Sequence, residues 1–106
     1  MRKERRDYIA RVIEASEYNM LSVCDEEVFG CTVEENGLQM CISNEFYGGA
    51  KVDEKKLIEL LKTTPIISLA GNRCVELAVK KGFAHRDAIK KVKSISFLMI
   101  FKFMRG

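Results

Sequence analysis

Apolar and polar positions change their period twice along this chain. From Tyr8 to Ala15 they alternate in part, with Tyr8, Ala10 and Val12 set against Ile9, Arg11 and Ile13, the two-residue period of a strand. Ser16-Glu17-Tyr18-Asn19 reads as a turn and Met20 to Cys24 as a second strand, which together predict a hairpin. Asp25-Glu26-Glu27-Val28-Phe29-Gly30 carries the marks of one helical turn: Asp25 as its cap, acids in its first positions, Gly30 to end it. Glu34-Glu35-Asn36-Gly37 is a turn signal, and Leu38 to Ile42 reads as a third strand.

The middle of the chain shifts to helical spacing. Asp53 is placed to cap a helix from Glu54 to Lys62, whose apolar stripe is Leu57, Ile58, Leu60 and Leu61. Thr64 and Pro65 suit the cap and first position of a second helix, with a stripe of Ile67, Ala70 or Gly71, Cys74, Leu77 and Ala78, closed by Gly82. That reading puts Gly71 inside a helix, where it costs about 1 kcal/mol against alanine and admits close packing. The isoleucines of Ile66 to Ala70 also suit a short strand; the helix is the preferred reading.

Period two then returns. Ala88 to Val92 is a short candidate strand and Ile95 to Met104 a long one. In the long one Ile95, Phe97, Met99, Phe101 and Phe103 share a face, and Ser96, Leu98, Ile100, Lys102 and Met104 the other. A strand apolar on nearly both sides belongs inside a sheet or at a subunit interface. The order β-β-β-α-α-β-β predicts an α+β fold: a two-layer sandwich with a mostly antiparallel sheet of about five strands and two main helices on one face.

Size adds that residues 1–106 form one domain with its own core, residues 1–7 of it a basic N-terminal extension. The apolar content of 47% and charged content of 31% suit a soluble globular chain. No apolar run reaches the roughly 20 residues that cross a bilayer. No apolar signal core follows Arg2-Lys3-Glu4-Arg5-Arg6, so a cytoplasmic protein is expected. Cys24, Cys31, Cys41 and Cys74 lack the close pairing of zinc ligands and read as buried free thiols.

Charge sharpens the picture. Residues 1–12 carry a net +3, residues 13–79 a net −7 and residues 80–106 a net +7. Basic ends that meet in space would make a phosphate-binding face; dispersed, they are solvated lysines. His85, the only histidine, has no orienting partner or nucleophile in its neighbourhood of the sequence. There is no Walker loop, dinucleotide fingerprint or nucleophile elbow, and the carboxylates each have local work as turn or helix-start residues. No metal or cofactor is expected, and the balance leans away from an enzyme.

Phe46-Tyr47-Gly48-Gly49 stands out, because two glycines behind two aromatics are either a forced backbone geometry or a surface that approaches a ligand. On the second reading Tyr47, Gly48 and Gly49 contact a base while Arg73, Lys90, Lys91 and Lys93 hold phosphates, and the partner is RNA or the ribosome. On the first, Phe46 and Tyr47 seal the packing under the sheet. A rival is a small enzyme or metabolite- or metal-binding protein with its site where Asp25, Glu26 and the Phe46–Gly49 loop converge. A third candidate is a homodimer through the Phe97–Phe103 strand.

The ordered set Leu21-Ser22-Val23-Cys24-Asp25-Glu26-Glu27-Val28-Phe29-Gly30, Phe46-Tyr47-Gly48-Gly49 and Gly71-Asn72-Arg73-Cys74-Val75-Glu76-Leu77-Ala78 resembles the archaeal domain of unknown function 424, over about residues 8 to 93. The resemblance implies a small archaeal cytosolic protein with no established activity. This chain has Ser68 where the family tends to asparagine and Asn72 where it tends to an acid. It reads Lys93-Ser94-Ile95-Ser96-Phe97-Leu98 where the family commonly shows a glycine-rich Pro-His-Ala stretch. A site shared through that histidine or asparagine is therefore incomplete here.

Overall fold

The alternation at the start of the chain builds one half of a six-stranded sheet. In a computed structural model that describes residues 7–42 and 47–102, β1 (Tyr8–Ile13) and β2 (Met20–Asp25) form the expected antiparallel hairpin, Ile13 opposite Met20. β5 (Ala50–Val52) pairs antiparallel with the outer edge of β1. On its other side β2 runs parallel to β6 (Ile66–Ala70), Cys24 beside Ala70. β8 (Ile95–Phe101) follows antiparallel to β6, and β7 (Lys90–Val92) closes the far edge. The spatial order is β5-β1-β2-β6-β8-β7.

Two helices, α1 (Glu54–Thr63) and α2 (Asn72–Lys80), cover one face of this sheet. Leu57 and Leu61 from α1, and Cys74, Val75 and Ala78 from α2, close over Leu21, Val23, Ile67, Leu69, Leu98 and Ile100. These are alternate positions of each strand, as the pleat requires. The opposite face is partly covered by a separate hairpin of β3 (Thr32–Glu35) and β4 (Leu38–Cys41). Its turn residues Asn36 and Gly37 both take positive φ, 51° and 83°, the geometry an Asn-Gly hairpin turn favours. Ile42 and Tyr47 bury against Ile9, Cys24, Ala70 and Phe97 there, with Val33 and Met40 of the hairpin packed alongside. The fold is α+β with helices and sheet as its two layers, and β2–β6 supplies a parallel pair in an otherwise antiparallel sheet. Among the described residues no helix is long and apolar enough to cross a membrane.

Four sequence readings need correction. Ile66–Ala70 is a strand, not the start of a helix: it lies between β2 and β8 with Ile67 and Leu69 buried and Ile66 half-buried, a setting that suits β-branched side chains. Helix α2 therefore begins at Asn72, and Gly71 stands at its N-terminal boundary with φ 128° rather than inside it. Leu38–Cys41 pairs with β3 alone and never joins the main sheet. The main sheet instead recruits β5, a three-residue edge strand too short to show a period. The turn Glu26–Val28 forms as a 3-10 turn, but Asp25 makes no side-chain bond to it. Asp53 does cap α1, its Oδ1 accepting from the Lys56 amide at 2.9 Å. β8 lies between β6 and β7, but β7 pairs only with Ile95–Phe97, so one edge of β8 has no ladder partner from Leu98 to Phe101 among the described residues; Phe103 lies outside them.

Candidate functional site

The adjacent parallel strands β2 and β6 send their chains to opposite faces of the sheet, β2 toward the β3–β4 hairpin and β6 into α2. A crevice at the carboxyl ends of such strands, beneath a helix N-terminus, is where open sheets commonly bind anionic ligands. Here the chain fills it with its own anion. Asp25, at the last position of β2 and 1% exposed, accepts hydrogen bonds from the Arg73 amide (Oδ2, 2.8 Å) and the Cys74 amide (Oδ1, 2.8 Å). The carboxylate thus caps α2 from another strand, taking two of the amides that a helix start leaves unbonded. A Cβ at Gly71 would overlap this carboxylate, and a side chain is strained at φ 128°, so glycine is required there on two counts. Burial raises the Asp25 carboxyl above its ordinary value, opposed by the Arg73 and Cys74 amides and the Arg73 charge.

Arg73 closes the other side of the knot. Its Nε and Nη2 donate to Glu27 Oε2 and Oε1 at 2.8 and 2.7 Å, its Nη2 also reaches the Asp7 carbonyl oxygen at 2.9 Å, and its guanidinium lies 4.6 Å from the centroid of the Tyr8 ring. The fork-to-fork pair with Glu27 and the stack on Tyr8 hold its charge inside the protein. Bonding to Glu27 holds the guanidinium well above its ordinary value.

Asn72 links this end of the molecule to the β7–β8 hairpin. Its Nδ2 donates to the Ser94 carbonyl at 2.9 Å while its Oδ1 accepts from the Ser96 amide at 2.9 Å, and the Gly71 amide donates to the Ser96 carbonyl at 2.8 Å. An amide side chain can donate and accept at once through separate atoms, as here. From the other side, the Lys93 amide donates to Glu35 Oε1 at 2.7 Å, tying the β7–β8 turn to the β3–β4 hairpin. The result is a braced turn carrying three cations. Lys90 and Lys91 occupy two of the three positions of the edge strand β7, and Lys93 takes a positive φ of 59° in the turn. All three are exposed, and none forms an ion pair among the described residues.

The expected contact residues therefore fall into three groups. Tyr47 is 6% exposed in the second core, and its hydroxyl lies 3.3 Å from Ser68 Oγ. Gly49 backs onto β1 so closely that a Cβ would overlap the Ala10 carbonyl oxygen. Together with half-buried Gly48 they explain this part of the glycine loop as forced geometry: the aromatic fills the core and the chain must then pass flush against β1. Phe46 lies outside the described residues. Arg73 is engaged internally. Only Lys90, Lys91 and Lys93 are exposed along one edge hairpin, with Lys90 and Lys91 on opposite faces of β7.

Among the described residues of the rival site, Asp25 faces α2, Glu26 turns to Lys51 (2.8 Å) and the Asp7 amide, and Gly49 faces Ala10, so these three do not converge. Among the described residues no three His, Cys, Asp or Glu side chains group as metal ligands do. His85 is exposed, at the start of the 3-10 turn Arg86–Ala88. What sequence reasoning missed is Asn72, whose one outward signal was its departure from the acid common in the family it resembles.

Beside the lysine edge runs a groove of about 290 Å³, between the β3–β4 hairpin and the open face of β7 and β8. Leu38 and Met40 form one wall, Val92, Phe97 and Met99 the floor, and Lys90 the rim. Leu38 is 53% exposed and Met99 46% exposed.

A crystal structure of an uncharacterized conserved protein from Methanopyrus kandleri superimposes with a TM-score of 0.74 at 21% identity, covering 94% of this chain and 99% of that one. At that identity the likeness establishes the shared fold alone. No curated protein matches the chain. A family model matches residues 13–103, from the end of β1 past the end of β8, and the chain belongs to that family, Protein of unknown function (DUF424).

Proposed function

We propose that the protein is a non-enzymatic binding module that holds RNA, free or within the ribosome, by its phosphate backbone along the β7–β8 hairpin. The observation that carries this reading is the set Lys90, Lys91 and Lys93: three exposed cations within four residues of an edge hairpin, braced by Asn72 and Glu35 and unpaired among the described residues. Lysines on an edge strand also discourage strand addition, which favours an anionic polymer lying across the edge over a peptide paired along it.

The test is a titration of labelled oligouridylate at several salt concentrations. Three lysine–phosphate contacts predict a slope of log K on log salt near −2, at about 0.7 per neutralised phosphate on a single strand. The triple variant K90Q/K91Q/K93Q should flatten that slope and leave thermal stability unchanged. Binding that ignores salt, or that survives the triple substitution, overturns the reading.

A further inference from the structure

We infer that the groove beside the lysine edge receives one unstacked nucleobase, so that the ligand is single-stranded rather than duplex RNA. The inference rests on the reading of Lys90, Lys91 and Lys93 as phosphate contacts and adds what lies between the phosphates.

The groove's chemistry selects the occupant. Its walls and floor are apolar and include two thioethers, Met40 and Met99, and one aromatic ring, Phe97. Thioethers are soft, polarisable and adaptable, and sulfur against an aromatic face is a favourable contact, so a flat aromatic ring is better held here than an aliphatic chain of equal size. The volume of about 290 Å³ lies at the small end of ligand sites, room for one ring system and not for a whole cofactor. Lys90 stands on the rim because its position in β7 faces the same side as Phe97, its partner across the ladder. A nucleotide joins a planar aromatic ring to an anion, and a base inserted there leaves its phosphate beside Lys90.

Two consequences separate a base from other occupants. The lining side chains other than the rim lysine offer no hydrogen-bonding group to read a base edge, so binding should tolerate any sequence. A duplex keeps its bases stacked inside and can use only the lysines, so the groove contributes nothing to duplex binding.

The experiment compares, at one salt concentration, oligouridylate, oligoadenylate, a duplex RNA and inorganic polyphosphate against wild-type protein and the variants Met99→Ala and Leu38→Ala. Both side chains are about half exposed, so the variants fold, and circular dichroism checks it. Wild type should prefer both single strands to duplex and polyphosphate by about tenfold, in line with what one stacked base contributes. Each variant should lose most of that preference while keeping the salt slope.

Equal binding of single strand, duplex and polyphosphate with a salt slope overturns the groove inference and leaves the lysine reading standing. The absence of salt-dependent RNA binding overturns both. A strong preference for one base, or single-strand binding indifferent to both variants, also overturns the inference. So does displacement of RNA by an acidic peptide with aromatic side chains whose own binding is lost in Met99→Ala, which would assign the groove to a protein partner.

Discussion

Two basic features of this chain, Arg73 and the lysines at 90, 91 and 93, look alike as sequence and differ completely in the folded molecule. Arg73 sits at the start of α2, where a cation is poorly placed against the helix dipole. It is tolerated because Asp25 and Glu27 surround it, and its flat guanidinium satisfies a carboxylate, a carbonyl oxygen and an aromatic face at once. The lysines sit on an edge strand and its turn with no carboxylate paired to them among the described residues. One cation holds the molecule together and the others are available. What separates them is the topology, which places the acids Asp25 and Glu27 beside the first residues of α2.

The contrast breaks most sharply at Asp25. Replacing it with alanine leaves the Arg73 and Cys74 amides without their acceptor, and should lower unfolding free energy by about 3 kcal/mol or more, since hydrogen bonds to charged groups are worth roughly 1.5–3 kcal/mol each. Chemical denaturation would read the loss, and RNA affinity at a temperature where the variant stays folded should not move. Gly71→Ala should be comparably damaging, and the two together less than additive, because the added Cβ clashes with the very carboxylate that Asp25→Ala removes.

Next in size comes an alkaline loss of stability. Burial pushes the Cys24 thiol up to about 12 and holds the Cys74 thiol and the Tyr8 and Tyr47 hydroxyls above their ordinary values. These groups keep their protons in the folded state and release them first in the unfolded chain. Stability is therefore complete below the unfolded thiol value of 9.0 and falls as pH rises toward 12, by up to about 1.4 kcal/mol per pH unit for each buried thiol. Denaturant midpoints from pH 8 to 11 would show it, and a flat profile would contradict the burial. A thiol reagent at pH 8 should label exposed Cys31 and Cys41 readily, and Cys24 and Cys74 only on unfolding.

Arg73→Lys keeps the charge but loses the fork and the stack, so a loss of about 1–2 kcal/mol is expected with RNA affinity unchanged, the mirror image of the lysine triple variant. A drop in RNA affinity from Arg73→Lys equal to that from the lysines would erase the distinction between the two regions. The smallest effect expected is at Ser22, whose buried hydroxyl has no partner among the described residues. Ser22→Ala should leave stability unchanged or raise it by up to about 1 kcal/mol, because removing an unsatisfied buried hydroxyl relieves a desolvation cost. A clear loss in a thermal melt would mean the hydroxyl is bonded after all.

Elements whose side-chain period matches their environment were legible: the β1–β2 hairpin, α1 with its Asp53 cap, and the long apolar β8. Those that misled were decided from a distance. Ile66-Ile67-Ser68-Leu69-Ala70 after Thr64-Pro65 fits both a helix start, which local rules favour, and a buried strand, and the hydrogen bonds offered by β2 and β8 choose the strand. Asp25 ahead of two glutamates looks like a local cap, yet its carboxylate serves amides 48 and 49 residues away.

The sequence by itself determined the α+β class, the period of its principal elements and the block of positive charge toward its end, because these depend on residue type and near-neighbour spacing. Only the tertiary structure decided which charges are neutralised, which aromatics are buried and why Gly49 and Gly71 must be glycine. Those outcomes depend on which distant backbone or carboxylate comes within about 3 Å, the range at which a hydrogen bond forms. Spacing along the chain does not carry that information.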